Sequence, residues 1–383
     1  MRIPRLAGTA AVAAVLIVSA TVSAGGFHAA QELRAAATGV NLFARDLAAS
    51  GSDMAVVWEE SAGPVSYIRS SIDAGATFAP LETLGTGKVR QPQVATCGGW
   101  TYAVAAQKTS NGWKAILAER NLHGAGAATS SLSTSGTASQ PDVACVGTRR
   151  VATAWFQKSG SAASHVIVRV RPRAIGASVA VAPSYSFDLG VGTVSRGLSI
   201  AATNSAFYVA WMDGGKMRFA RFTVAGDPDA TVTLHPPKTL FTASAAKFPI
   251  LAADGRKAAL GYSLGLSAYL RPSGNSGVSF GAPFDSYVFG GQYQARYTSL
   301  AIRGTLYFAD VLGESHSSSG TERRSWEMTT TTPNDGWVSD DSGPDGVRVG
   351  TLIKLAGHWK VVEAWDESLT TPDPQHLKFH RET

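Results

Sequence analysis

The chain is poor in charge and in cysteine. Only 16% of its 383 residues are Asp, Glu, Lys or Arg, and there are two cysteines. Globular domains average about 25% charged residues, and no Lys/Arg block occurs here, so a nucleic-acid or membrane-surface role gets little support. Cys97 and Cys145 have no neighbouring histidine cluster, which argues against a metal site or a catalytic thiol. The G-x-S-x-G, H-E-x-x-H and P-loop patterns are all absent. We therefore expect no metal and no cofactor. Beyond residue 24 no apolar run approaches the ~20 residues of a spanning helix, and no long segment shows helical periodicity.

The first 24 residues differ from the rest. Arg2 and Arg5 precede an apolar stretch, Leu6 to Ala20, and a small-residue cleavage site, Val22-Ser23-Ala24. This pattern predicts a signal peptide and a secreted, extracellular chain, with a retained anchor as the competing reading. Cleavage removes two arginines and no acid, so the net charge falls from +6 to 32 − 28 = +4. Residues 25–383 then form one domain, large enough to fold without disulfide support. It is expected to be a monomer with no membrane insertion.

What the chain has in abundance is Gly, Ser, Thr and Ala, arranged in a repeat. Second strands read Ala55-Val56-Val57-Trp58, Tyr102-Ala103-Val104-Ala105, Ala152-Thr153-Ala154-Trp155 and Tyr208-Val209-Ala210-Trp211, and three weaker copies follow. The preceding strands can be anchored at Leu47, Val94, Val143, Ile200, Leu251, Leu300 and Leu352, with spacings of 47, 49, 57, 51, 49 and 52 residues. A period near fifty with room for four strands is the mark of a β-propeller. The prediction is an all-β chain of seven four-stranded antiparallel blades, with six as the alternative. The last unit lacks a fourth strand, and the stretch around Glu32 to Val40 is expected to supply it and close the ring. Cys97 and Cys145 occupy nearly equivalent repeat positions. One disulfide between neighbouring repeats is preferred over two buried free thiols.

Two turns carry a resemblance. Ser71-Ile72-Asp73-Ala74-Gly75-Ala76-Thr77-Phe78 reads S-x-D-x-G-x-x-F, and the spacing recurs with Asn at Ser273, Asn275, Gly277 and Phe280. A shortened echo runs from Thr332 to Trp337. The side chains suit a tight hairpin: Ser and Asp bind nearby backbone, Gly takes positive φ, and Phe folds back as a plug. The sequence thus resembles the sialidase-like propellers with Asp-box (BNR) turns, of a secreted bacterial type. The resemblance implies acidic-sugar hydrolysis by an arginine triad and a Tyr nucleophile. The F/Y-R-I-P segment of such enzymes has no counterpart after residue 24. Tyr293 and Tyr297 are candidates by residue type alone, so no catalytic residue is carried over.

Two groups of residues are expected on one face of the disc. Four positions before the anchor lie Arg90, Ser139, Arg196, Lys247, Arg296 and Arg348, five of the six cationic. A cationic ring would bind an anion, while long basic side chains also simply solvate strand starts. After the second strand come Glu59 and Glu60, Gln107, Gln157, Asp213, Asp310, and Asp366 with Glu367, suited to sugar hydroxyls or acid/base work, or merely polar hairpin ends. An insertion, Val311 to Arg323, adds Glu314 and His316 to this face. Three readings follow: a non-catalytic propeller binding an anionic glycan or cell-surface polymer, preferred; an exo-acting, sialidase-like glycoside hydrolase; and a scaffold for another extracellular protein.

Overall fold

The computed structural model describes residues 30–35, 40–61, 63–133, 135–147, 150–171, 184–225, 231–288, 294–317, 320–330, 338–340, 348–355, 358–367 and 376–381. Residues 1–24, Tyr293 and the turn at 332–337 lie outside them, as do the side chains of Arg348, His316, Asp366 and Glu367.

Seven four-stranded antiparallel sheets form a ring, so the chain is a seven-bladed β-propeller. The innermost strands are β2 (Leu42–Ser50), β6 (Val89–Cys97), β10 (Thr137–Val146), β14 (Leu198–Thr203), β18 (Ala246–Asp254), β22 (Gln294–Arg303) and β26 (Arg348–Leu355). Each packs against the innermost strand of the next blade. The second strands run back beside them: β3 (Asp53–Glu60), β7 (Trp100–Thr109), β11 (Arg150–Lys158), β15 (Ala206–Asp213), β19 (Lys257–Leu264), β23 (Leu306–Ser317) and β27 (His358–Glu367). These are covered on both faces by adjacent blades. That is why β3 is buried along its whole length and carries a continuous apolar run from Met54 to Trp58.

The ring closes with its first strand. β1 (Gln31–Ala35) pairs antiparallel with β28 (His376–Arg381), completing the seventh blade in the order β1-β28-β27-β26. Side chains reinforce the seam to the first blade. Arg34 Nε donates to Glu60 Oε1 at 2.7 Å, and Gln31 Nε2 donates to the Gly75 carbonyl at 2.9 Å. Leu33, Leu42, Trp58, Val349, Val362 and Phe379 bury one apolar cluster across it. Cys97 and Cys145, at the ends of β6 and β10, are joined as a disulfide between the second and third blades.

The two S-x-D/N-x-G turns are built alike. Ser71 Oγ accepts from Gly75 N at 2.9 Å, and Asp73 Oδ1 accepts from Thr77 N at 2.9 Å. Ser273 Oγ likewise accepts from Gly277 N at 3.1 Å, and Asn275 Oδ1 from Ser279 N at 2.9 Å. Burial pushes the Asp73 carboxyl up, but hydrogen bonds from Thr77 and Ser71 outweigh it and hold it at about 2. Gly75 has φ of +78°, and a Cβ there would lie 2.5 Å from the Phe379 ring. Only glycine fits that approach.

Candidate functional site

The innermost strand of a blade shows one unpaired backbone edge to the central axis, and its amides need acceptors. Here the acceptors are short side chains just before the anchors. Asp46 Oδ2 takes Val94 N of the next blade at 2.8 Å, and Asp142 Oδ2 takes Ile200 N of the next blade at 2.9 Å. Ser199 Oγ accepts from Leu251 N at 3.1 Å, and Ser299 Oγ from Gly350 N at 2.7 Å. Each aspartate also caps its own strand, through Leu47 N at 2.8 Å and Val143 N at 2.7 Å. Both are half-buried, with their carboxyl groups enclosed by backbone amides. Burial raises the Asp46 carboxyl to about 7, with the Asp142 charge adding to it, and raises Asp142 to about 6 against the opposing N–H donors. These acids staple blades together.

Just above the staples the strands bulge. Pairing with the second strand slips between Ala44 and Asp46, Arg90 and Gln93, Ser139 and Asp142, Lys247 and Ile250, and Tyr297 and Ser299. At three of these bulges a non-glycine residue before proline takes a left-handed conformation: Gln91 at φ 55°, Gln140 at 46° and Phe248 at 54°. Gly197 holds the same repeat position at φ 91°. Such backbone is costly for ordinary residues, of order 1–3 kcal/mol each, and persists where the surroundings enforce it. Its effect is to turn the residue three before each anchor toward the axis. All seven such residues, Ala44, Gln91, Gln140, Gly197, Phe248, Tyr297 and Val349, line one cavity of about 300 Å³ at the channel mouth.

The cavity is chemically divided. On the second and third blades it is polar, with Gln91, Gln93 and Gln140, and Asp142 in its wall. On the fifth to seventh it is apolar, with Phe248, Tyr297 and Val349. Arg45 and Arg296, on the first and sixth blades, flank the seventh. Arg45 Nη2 is 3.1 Å from Glu59 Oε2, the same oxygen that accepts from Gln91 N at 2.9 Å. Arg45 Nε is buried without a hydrogen-bond partner. Arg296 Nη2 lies 3.6 Å from Glu314 Oε1, so the insertion in the sixth blade supports this side. Tyr297 lies flat against Gly261, where a Cβ would come within 2.7 Å of its ring.

The candidates read from sequence are placed as follows. Among the strand-start cations whose side chains are described, only Arg296 lines the cavity. Arg90 instead stacks on Trp113 at 3.9 Å, and Arg196 donates to the carbonyls of Ser244 and Ala246 on the fifth blade. Lys247 is half-buried at the start of β18, outside the cavity lining. The ring of convergent groups is thus three positions before the anchor rather than four, because the bulge shifts which side chain faces the axis. Among the acids, Glu59 holds Arg45 and Gln91 in place, Glu60 serves the closing seam, and Asp213 ends a hairpin. Asp310 is 0% exposed beside Gly350, between the sixth and seventh blades. Sequence reasoning missed Arg45, Asp46, Gln91, Gln140, Asp142 and Phe248. The signal that could have found them is the X-Pro pair at one repeat offset, Gln91-Pro92, Gln140-Pro141 and Phe248-Pro249.

The arrangement is an amphipathic cavity at the channel mouth of a seven-bladed propeller, with two glutamate-paired arginines on one side. No sequence family and no curated protein matches the chain. Solved structures do resemble it. An ulvan lyase, a polysaccharide lyase solved with -[GlcA(1-4)Rha3S]- bound, is 8% identical with TM-score 0.54, covering 90% of this chain and 94% of that one. Trypanosoma rangeli sialidase with the inhibitor DANA is 13% identical with TM-score 0.42, covering 79% of this chain. The match spans 56% of that sialidase's length. A variant of the Aleuria aurantia lectin with α-methyl-L-fucoside is 11% identical with TM-score 0.46, covering 79% and 94% of the two chains. At 8% identity the likeness to the ulvan lyase is one of fold alone.

Proposed function

We propose that the protein is a secreted, non-catalytic member of the sialidase-like Asp-box propellers that binds an acidic glycan unit in the axial cavity. The observation that carries this reading is the partition of that cavity. Arg45 and Arg296 flank one blade and suit a carboxylate or sulfate, which guanidinium groups bind with fixed geometry. The glutamines opposite suit ring hydroxyls, and Phe248 with Tyr297 suits the apolar face of a sugar. The ulvan lyase of similar fold holds a glucuronate- and sulfate-bearing repeat, which agrees with the ligand class proposed. Binding is favoured over hydrolysis because the acid in the cavity wall, Asp142, has each oxygen committed to a backbone amide.

The test is a glycan array at low and physiological salt, followed by calorimetry on the best ligand. The expected outcome is salt-resistant binding to a narrow acidic set. Arg45→Ala and Arg296→Ala should each weaken it at least tenfold, about 1.4 kcal/mol. Binding that vanishes at physiological salt, or survives both substitutions, refutes the assignment.

A further inference from the structure

A second cavity lies on the flank of the disc, between the second and third blades, with a volume of about 290 Å³. Its walls are two facing sheets. On the second blade, β8 (Gly112–Asn121) presents Leu117 and Glu119, two residues apart and so on one face. On the third, β12 (His165–Arg171) presents Arg169 and Arg171, paired across the ladder with Thr153 and Val151 of β11. Glu119 is 2% exposed and binds Arg171 with both oxygens, so that pair is internally neutral. Arg169 is different. No ion pair to it is formed among the described residues, and its Nε is buried without a hydrogen-bond partner. Directly across the ladder, Thr153 is 2% exposed, and its Oγ1 is likewise buried without a partner.

Cross-strand partners have Cβ atoms ~5 Å apart. A charged donor and a hydroxyl therefore stand side by side on the wall of a cavity whose remaining surface is mixed, apolar from Leu117, Leu132 and Val151 and hydroxyl-bearing from Thr129, Ser130, Ser131 and Ser184. Burying such groups unpaired costs about 1–3 kcal/mol each, and proteins rarely leave two together without a use. We infer that this interblade cleft is a second ligand site, taking a single carboxylate-bearing sugar unit or hydroxy acid. The carboxylate accepts from Arg169 Nε, a neighbouring hydroxyl pairs with Thr153 Oγ1, and the C–H face of the ligand rests on the leucines and valine. The net charge of the wall, one uncompensated guanidinium, matches a monoanion. The volume, at the small end of the ~300–1,000 Å³ typical of ligand pockets, fits one unit rather than a chain. The inference is independent of the axial cavity.

The test uses D-glucuronate as the probe, with D-glucose as the uncharged comparison, titrated into the full chain carrying Arg45→Ala and Arg296→Ala. One glucuronate per chain should still bind, and glucose should not. Adding Arg169→Ala should weaken that binding at least tenfold, Arg169→Lys less so, and Thr153→Val several-fold. Thr153→Val is nearly isosteric and removes an unpartnered hydroxyl, so its melting temperature should hold or rise. Loss of all glucuronate binding in the axial variant overturns the inference, as does residual binding indifferent to Arg169. A lower melting temperature for Thr153→Val also overturns it, because the hydroxyl would then serve the fold. Should wild-type protein and the axial variant bind glucuronate alike, the axial assignment fails while this one stands.

Discussion

Lowering the pH from 7.5 to 5 should strengthen this fold, the reverse of ordinary acid destabilisation. The cause is the pair of stapling aspartates. Their folded values, about 7 for Asp46 and about 6 for Asp142, lie above the ordinary 3.8, mainly because burial penalises the charge. The native state therefore binds more protons than the unfolded one between these limits. Stability from this source is complete below the unfolded value and is lost as pH rises through the folded ones. Shifts of roughly three and two units correspond to on the order of 4 and 3 kcal/mol at about 1.4 kcal/mol per unit. Near pH 5 both groups are protonated mainly when folded, so stability should fall by up to about 3 kcal/mol per pH unit. Asp73, held at about 2, is ionised throughout and adds no slope. His235 opposes: burial and then Arg221 lower its value, so its contribution is lost as pH falls. Urea unfolding followed by tryptophan fluorescence, at pH 5, 6, 7 and 7.5, gives the slope directly. Asp46→Asn and Asp142→Asn should each remove about half of it, leaving His235 untouched. A wild-type stability that rises from pH 5 to 7.5, or a slope unchanged in both variants, refutes the reasoning.

Further outcomes follow from the seams. Gly75→Ala should destabilise by about 2–4 kcal/mol, since it forces a left-handed alanine and a clash with Phe379. A double-mutant cycle with Phe379→Leu in urea unfolding should recover the steric part and leave the backbone part. Cys97→Ser with Cys145→Ser should cost up to about 4 kcal/mol by loop-closure entropy for a separation of 48 residues, read as a lower urea midpoint that reductant no longer changes.

The fold was legible because it rests on repetition. Burial on both faces makes every second strand an apolar run, and tight turns at a period near fifty leave a seven-bladed ring as the economical solution. The closing strand was legible too, because a final unit of three strands leaves an edge that Gln31–Ala35 satisfies. The cavity was not. The recurrence of cations four residues before the anchors singled out Arg90, Arg196, Lys247, Arg296 and Arg348, and in a regular strand that position shares a face with the anchor. The bulges break the parity, and nothing in composition announces a bulge of this kind. Only the prolines after Gln91, Gln140 and Phe248 hint at it, and the other four blades have none at that offset, two of them bulging without one, at Arg45 and Thr298.

The bulge also separates two tasks that one strand would otherwise have to combine. One residue before the anchor, Asp46, Asp142, Ser199 and Ser299 bind backbone amides and hold blades to their neighbours. Two residues earlier, Gln91, Gln140, Phe248 and Tyr297 face the cavity, and Gln91 also ties the second blade to the third, its Oε1 accepting from Gln140 N at 2.9 Å. The first set must be short and able to accept an N–H; the second is free to vary in size and polarity. That division is consistent with a rim that carries alanine, glutamine, glycine, phenylalanine, tyrosine and valine at equivalent places, above a ring in which four of the seven blades place an Asp or Ser acceptor. A left-handed residue at the junction is the structural cost of keeping ligand recognition and ring closure on separate residues of the same strand.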